Sequence, residues 1–247
     1  MIIIPMAGQS SRFTSAGHTR PKYELALQNG TLFAACTRSF ERYFSSERFV
    51  FVCRVGVGAE AFIDAECERL GVQNYVVVAL DAPTRGQAET VLQGLYGAEA
   101  TGRESLLIFN IDTIRPHYVF PEQLDFSDGY LEVFSGEGDH WSFVKPAASF
   151  SRRVAQTSEK RRISSLCCTG LYHFSRAVDF DRVCRDALGS YEHFRQTWGE
   201  LYVAPLYNML IASGKTFTYH EIPRSQVHFS GTPDEYEALR HQEAALF

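Results

Sequence analysis

Through the first 111 residues, apolar runs of strand length alternate with segments of helical period, and that alternation admits few folds. Strand 2–5 precedes a helix at about 31–44, strand 49–53 a helix at about 58–70, and strand 74–80 a helix at about 86–99; strand 105–111 closes the series. Such a βαβ series implies a parallel sheet, because parallel neighbours need a crossover long enough to hold a helix. Its ligand is expected beyond the C-terminal strand ends, where the loops after residues 5, 80 and 111 would meet. After Asp112 the strands become shorter and more irregular, at 129–135, 141–145, 153–157 and 169–174. Helices are predicted at about 176–188 and 199–213, the second with Tyr202, Leu206, Leu210 and Ile211 on one face, followed by a strand at about 216–222. A last helix opens at Thr232-Pro233-Asp234-Glu235, a capping residue with Pro at the first helical position and acids in the first turn. With 247 residues, 45% of them apolar, no repeat and no low-complexity linker, the chain reads as a single α/β domain, residues 1–112 forming one half and 113–247 the other.

The chemistry is concentrated near the start. Met1-Ile2-Ile3-Ile4-Pro5 runs into Ala7-Gly8-Gln9-Ser10-Ser11-Arg12-Phe13 and then Thr19-Arg20-Pro21-Lys22-Tyr23. A strand ending in a small-residue turn suits a nucleoside triphosphate: Gly8, Ser10 and Ser11 let backbone N–H groups approach phosphate oxygens, and Ser adds hydroxyl donors. Arg12 and Lys22 bring positive charge to either side. Two better-known phosphate loops do not fit. A Walker A loop needs Gly-x4-Gly-Lys-[Ser/Thr], and a dinucleotide fold needs Gly-x-Gly-x-x-Gly with an acid closing the second strand. Only Gly8 is in place, and Phe49–Val52 ends in Cys53-Arg54.

A net charge of −5 and a pI near 5.9 argue against a general binder of nucleic acid or membrane surfaces. The six cysteines show no Cys-x-x-Cys pair and no metal-ligand spacing with His, so they read as buried small hydrophobes in a reducing compartment. The apolar start is about five residues long, too short for a signal h-region or a membrane span. A cytoplasmic protein is expected.

The segment 7–22 resembles the signature of the nucleotidyltransferases, the sugar-nucleotide pyrophosphorylases and their cytidylyltransferase relatives, which reads Ala-Gly-x-x-[Ser/Thr]-Arg-[Phe/Met] followed by Pro-Lys. Four further segments match that family in order, so the resemblance covers nearly the whole chain. It is nearest to the short single-domain members encoded with bacterial capsule and surface-polysaccharide functions. It implies a Rossmann-like (GT-A-like), mostly parallel mixed sheet flanked by helices, with a nucleotide-binding half over 1–112 and an acceptor-binding half over 113–247.

Thr84-Arg85-Gly86-Gln87-Ala88-Glu89-Thr90 matches the family's loop that opens a helix beside the base and α-phosphate. A helix N-terminus offers unpaired N–H groups there, and Gly86 and Ala88 leave room for a flat base; the plain alternative is an ordinary capped helix. Asn110-Ile111-Asp112-Thr113 places Asp112 where the family holds Mg²⁺, although an Asp after a strand is commonly just a cap. Thr157-Ser158-Glu159-Lys160 and Cys168-Thr169-Gly170-Leu171-Tyr172 match the acceptor site. The resemblance implies that Glu159 accepts from acceptor hydroxyls, that Lys160 binds the acceptor phosphate and that Gly170 lets the acceptor lie against backbone. Lys160-Arg161-Arg162 also reads as a surface charge run. His228-Phe229-Ser230-Gly231-Thr232-Pro233 matches the turn before the last helix.

Two positions depart from the family. Phe229 stands where many members carry a second metal-binding Asp, which leaves Asp234 or Glu221 as nearby substitutes, or phosphates and water, which Mg²⁺ tolerates. Trp141, in Gly138-Asp139-His140-Trp141, aligns with a Gly that lies against the sugar in pyranose-binding relatives. A ring there narrows the pocket towards a smaller phosphorylated acceptor and puts Asp139 and His140 beside it, while a Trp opening a strand is also a common core residue.

The implied reaction joins an NTP to a phosphomonoester and releases pyrophosphate, with Mg²⁺ as cofactor. Arg12 would stabilise pyrophosphate, Lys22 bridge the α-phosphate and the acceptor phosphate, and Ala7, Gly8, Gln9, Ser10, Ser11, Gly86 and Gln87 cradle the nucleotide. Asp81 aligns with the base contact and could accept from amino or imino donors, which favours CTP. A glycosyltransferase on a related sheet is a rival reading, but Asn110-Ile111-Asp112 is only half of the Asp-x-Asp that class uses. A non-catalytic nucleotide-binding or regulatory protein is the other. His117, His173, His193, His220 and His241 carry no motif. Acceptor identity and oligomeric state, homo-oligomer or monomer, stay open.

Overall fold

A computed structural model describes residues 1–56, 58–121, 127–241 and 246. The first strand, β1 (Ile2–Pro5), carries side chains into a core on each face of the sheet, which is why it is a continuous apolar run rather than an alternation. Ile2 and Ile4 point to one face and Ile3 to the other. β2 (Phe49–Arg54) lies parallel to β1 on one side with β3 (Tyr75–Leu80) parallel beyond it, and β4 (Leu106–Phe109) is parallel to β1 on the other side. The βαβ series expected from the sequence is therefore present.

Five further strands complete a nine-stranded mixed sheet: β5 (Gly129–Ser135), β6 (Ser142–Pro146), β7 (Val154–Glu159), β8 (Leu166–Phe174) and β9 (Phe217–Glu221). β8 is the junction. Its C-terminal part pairs antiparallel with β4 and its first residues pair with β6, which in turn carries β7; along its other edge runs β5, followed by β9 in parallel. One sheet thus spans both halves of the chain.

Helices α1 (Ser11–Ser15), α2 (Leu32–Arg38), α3 (Ala59–Leu70), α4 (Gln87–Gly97), α5 (Ala177–Gly189), α6 (Tyr191–Trp198), α7 (Leu206–Ala212) and α8 (Pro233–Arg240) surround it. On the α2/α3 face the core is rich in rings, including Phe33, Phe40, Phe49, Phe51 and Phe109. On the opposite face α4 approaches the strands closely. A Cβ on Gly94 would sit 2.6 Å from Val52, and one on Gly97 2.7 Å from Val78, so only glycine lets this helix settle so near the sheet. All six cysteines are buried and unpaired. No helix among the described residues is long and apolar enough to cross a membrane.

Three elements differ from the sequence expectation. The helix at 31–44 stops at Arg38: Thr31 caps its start by accepting from the Ala34 N–H at 3.1 Å, and the chain then continues into a 3₁₀ turn at Glu41–Tyr43. The sequence reading missed α6. The helix expected at 199–213 starts only at Leu206, because Gly199 at φ +90° ends α6 and the residues after it bond to another loop. The last helix begins as expected, with Thr232 and Glu235 forming a reciprocal capping box.

His173, on β8, is buried against Tyr130 with ring centroids 4.8 Å apart; its Nε2 lies 2.7 Å from Ser105 Oγ, and its Nδ1 has no partner among the described residues. Burial lowers its pKa to about 4. An unfolded chain takes up this proton near pH 6.5, whereas the folded one resists it down to about 4, so acidification favours unfolding within that window. The full loss is about 3 kcal/mol. His220 and His228, also lowered by burial, act in the same direction. We expect Tm to fall between pH 7 and 4.5, with a shallower slope in His173→Gln; equal slopes would refute this role.

Candidate active site

β1 and β4 are adjacent, so the loops leaving their C-terminal ends meet over the sheet edge. After β1 the chain turns outward through Ala7–Ser11, with Ser10 in the left-handed region at φ 50°. A Cβ on Gly8 would meet nothing within 4 Å, and none of the described residues accepts a hydrogen bond from the backbone N–H groups of Ala7, Gly8 and Gln9. These donors are free for an anion. The loop then enters α1, which carries Arg12, and continues to Lys22.

After β4 comes Asn110-Ile111-Asp112. Lys22 Nζ donates to Asp112 Oδ2 at 2.6 Å, joining residues ninety positions apart, and both side chains are largely buried. Asp112 is therefore a charged partner of Lys22 as well as a strand-end carboxylate. Its backbone carbonyl accepts from the Ser230 N–H at 2.8 Å, which draws the Gly231 turn alongside.

Asp112 forms part of an open cleft whose lining also includes Arg12, Asn110, His140, Trp141 and Glu159. Glu159 ends β7 and is buried, and this burial raises its carboxyl pKa. Ser142 Oγ donates to Glu159 Oε2 and lies 3.1 Å from the Tyr172 hydroxyl. Glu159 Oε1 is left to accept from a ligand. Lys160 follows at φ 50°; its N–H donates to the Trp141 carbonyl at 2.9 Å, and its ammonium donates to the Tyr202 hydroxyl.

Gly170 interrupts the register of β8, where the ladder to β5 shifts between Cys168 and Tyr172. It adopts φ +94°, and a Cβ there would lie 2.7 Å from Asn110 Nδ2. Asn110 in turn accepts from Gln87 Nε2 and donates its own N–H to the Gly170 carbonyl at 3.1 Å. Gly170 and Gln87 are thus joined through Asn110, whose role the sequence reading missed.

Other expected residues are placed differently. Gly86, at φ +143°, lies against backbone: a Cβ there would sit 2.6 Å from Leu201 N, so its clearance is filled by chain, and Ala88 is fully buried. Asp81 is exposed just past β3 and is not part of this cleft; neither is Asp139, which is also exposed.

Phe229 packs against Trp141 with centroids 4.7 Å apart, and the pair forms an aromatic wall of the cleft. Among the described residues no group of three or more His, Cys, Asp and Glu side chains is arranged to hold a metal. Two carboxylates do converge at Gly231, where a Cβ would sit 3.3 Å from Asp112 Oδ2 and 3.5 Å from Glu235 Oε2. Glu235 lines the cleft, whereas Asp234 and Glu221 are exposed and do not. Its sequence signal was the Thr-x-x-Glu spacing of a capping box.

Among solved structures, the chain is similar to a nucleoside-diphosphate-sugar pyrophosphorylase from Vibrio cholerae RC9, with 47% identity, a TM-score of 0.91, and 98% of this chain and 100% of that one covered. It shares the fold of the inositol-1-phosphate CTP transferase from T. maritima, with a TM-score of 0.76, 16% identity, and 99% of this chain and 95% of that one covered. The same holds for a UDP-glucose pyrophosphorylase complexed with UDP-glucose, with a TM-score of 0.73, 12% identity, and 98% and 97% covered. No protein-family model matches the sequence, and no curated protein does.

The Gly170–Asn110 contact is testable. Gly170→Ala forces a side chain into left-handed backbone, at about 1–2 kcal/mol, and pushes the Asn110 carboxamide off Gln87. We expect a lower Tm together with weakened nucleotide binding; unchanged nucleotide affinity in a folded variant would show that this junction does not serve the site.

Proposed function

The chain belongs to the sugar-nucleotide nucleotidyltransferases, and on that footing we propose that it joins the nucleotidyl group of an NTP to a small phosphorylated acceptor in the Asp112–Glu159 cleft, releasing pyrophosphate. The observation that carries this reading is the Lys22–Asp112 pair at 2.6 Å, set between a turn with free N–H donors and a buried carboxylate across the cleft. A phosphomonoester has its second pKa near ~6, so the acceptor is largely a dianion at neutral pH and already nucleophilic. No general base is required. The obstacle is repulsion between anions, and the protein's task is alignment and charge stabilisation at the α-phosphate.

Arg12 and the N–H groups of the first turn hold the β- and γ-phosphates and stabilise the leaving pyrophosphate. Lys22 moves from Asp112 to the α-phosphate and the incoming acceptor phosphate. Gln87 borders the nucleotide, Glu159 accepts from an acceptor hydroxyl, and Lys160 takes the acceptor phosphate. Asp112 and Glu235 are the side chains that would hold Mg²⁺, and the open positions suit phosphate oxygens and water. Bound there, Mg²⁺ would offset phosphate charge and orient the leaving group.

The Trp141–Phe229 wall supports an acceptor smaller than a pyranose phosphate, with His140 beside it. CTP is the favoured donor, on the alignment of Asp81 with the family's base contact, which would place the base outside the Asp112–Glu159 cleft, and the setting is cytoplasmic synthesis of a capsule or surface-polysaccharide precursor, by likeness to short family members. Residues 1–112 would serve the nucleotide and 113–247 the acceptor.

Pyrophosphate release with each common NTP and a panel of sugar 1-phosphates and small non-sugar phosphomonoesters tests the reading. Turnover should need one NTP and one acceptor and stop on chelation of Mg²⁺. It should fall at least ~10²-fold in kcat in Arg12→Ala or Lys22→Ala, as for loss of one electrostatic donor. Near-wild-type turnover in either variant would remove that residue's role. Trp141→Gly should admit hexose 1-phosphates that the parent protein rejects; an unchanged acceptor range would show that the wall does not select.

A further inference from the structure

The chain contains four lysines, Lys22, Lys145, Lys160 and Lys215, against twenty arginines. Lys215 is held between Asp128 and Asp179, at 2.8 and 3.0 Å, and Lys22 by Asp112. Lys160 is held by a hydroxyl: its ammonium donates to the Tyr202 oxygen at the rim of the ring, 4.5 Å from the centroid. The left-handed turn at Lys160 sends Glu159 into the cleft while its neighbour reaches across to Tyr202, so one strand end serves both.

Tyr202 is itself fixed by backbone. Leu201 N–H donates to the Arg85 carbonyl and Leu201 C=O accepts from the Ala88 N–H, both at 2.9 Å, an approach permitted by Gly86. On its other side, Thr157 Oγ1 donates to the Ala204 carbonyl at 2.6 Å and Asn208 pairs with the Thr157 backbone. The segment 201–204 is therefore clamped between the Gly86 turn and the end of β7. Burial, with the Glu200 carboxylate nearby, holds the Tyr202 phenol well above its usual pKa.

We propose that Tyr202 is the positioning residue for Lys160, holding its ammonium by the hydroxyl so that the remaining two N–H donors are left for the acceptor phosphate. This rests on the reading of Lys160 as the phosphate-binding group. An ammonium carries three donors, and Tyr202 occupies one. A free lysine would have to be immobilised on binding, and restoring that cost predicts about 2- to 10-fold weaker phosphate affinity without Tyr202.

Selective ¹³C-lysine labelling of the unmodified protein gives four Hε/Cε cross-peaks, with Lys160 identified by its loss in Lys160→Arg. We expect that peak to move saturably on titration with inorganic phosphate. Tyr202→Phe, which removes only the hydroxyl, should shift it in the unliganded protein and weaken phosphate by the factor above, and Tyr202→Leu should do the same. A Lys160 peak unmoved by Tyr202→Phe, or phosphate affinity unchanged in that variant, overturns the role of Tyr202 alone. A Lys160 peak that ignores phosphate in the unmodified protein removes Lys160 from the acceptor site, and the positioning role with it.

Discussion

The site depends on one antiparallel strand set among parallel ones. β8 joins the βαβ half to the rest of the sheet, and it cannot pair with β4, β5 and β6 in a single unbroken register. The register shifts at Gly170, and the missing side chain there is the space into which Asn110 fits. Because Asn110 reaches Gln87 on α4 and precedes Asp112 by two residues, the shift fixes the relation between the nucleotide turn and the carboxylate. Behind it, Thr169 Oγ1 donates to Glu132, whose carboxylate is paired with Arg115 at 3.2 Å in the core. Burial raises the Glu132 pKa even against this neighbour, so desolvation outweighs the ion pair there. The pair ties β5 to the segment after Asp112 at an electrostatic cost.

The charged groups in and beside the cleft are held by partners within the protein. Lys22 and Asp112 neutralise each other at 2.6 Å, Lys160 is parked on Tyr202, and Glu159 is satisfied on one oxygen by Ser142. Each contact keeps a group solvated by protein, so ligand phosphates replace existing partners rather than entering a set of bare charges.

The two positions that depart from the family pattern, Trp141 and Phe229, both carry rings. Phe229 is packed by Trp141, by Phe134 at 5.5 Å, and by the Arg224 guanidinium, 5.0 Å from its centroid. The cluster is a small core in its own right, continuous with Phe143, Ile222 and Val227. An Asp at position 229 would lie among these apolar groups, which explains why a second carboxylate for the cleft comes from Glu235, one helical turn further along.

Much of this was legible in the residues. Continuous apolar runs identified strands buried on both faces, and the Pro after Thr232 marked the start of α8. The ordered motifs around Arg12, Lys22, Asp112, Glu159 and Gly170 marked residues that the fold gathers: Arg12, Asp112, Glu159 and Gly170 line one cleft, and Lys22 pairs with Asp112. Chain order and local spacing are sufficient for these, because burial period, caps and turn residues act over a few positions. Only the tertiary structure decided that Gly86 makes room for Leu201, that Tyr202 lies on a clamped loop rather than a helix face, and that Glu235 rather than Asp234 or Glu221 stands beside Asp112. Those outcomes depend on which distant backbone segments touch, and contacts between residues forty or a hundred positions apart leave no periodic trace in a single chain.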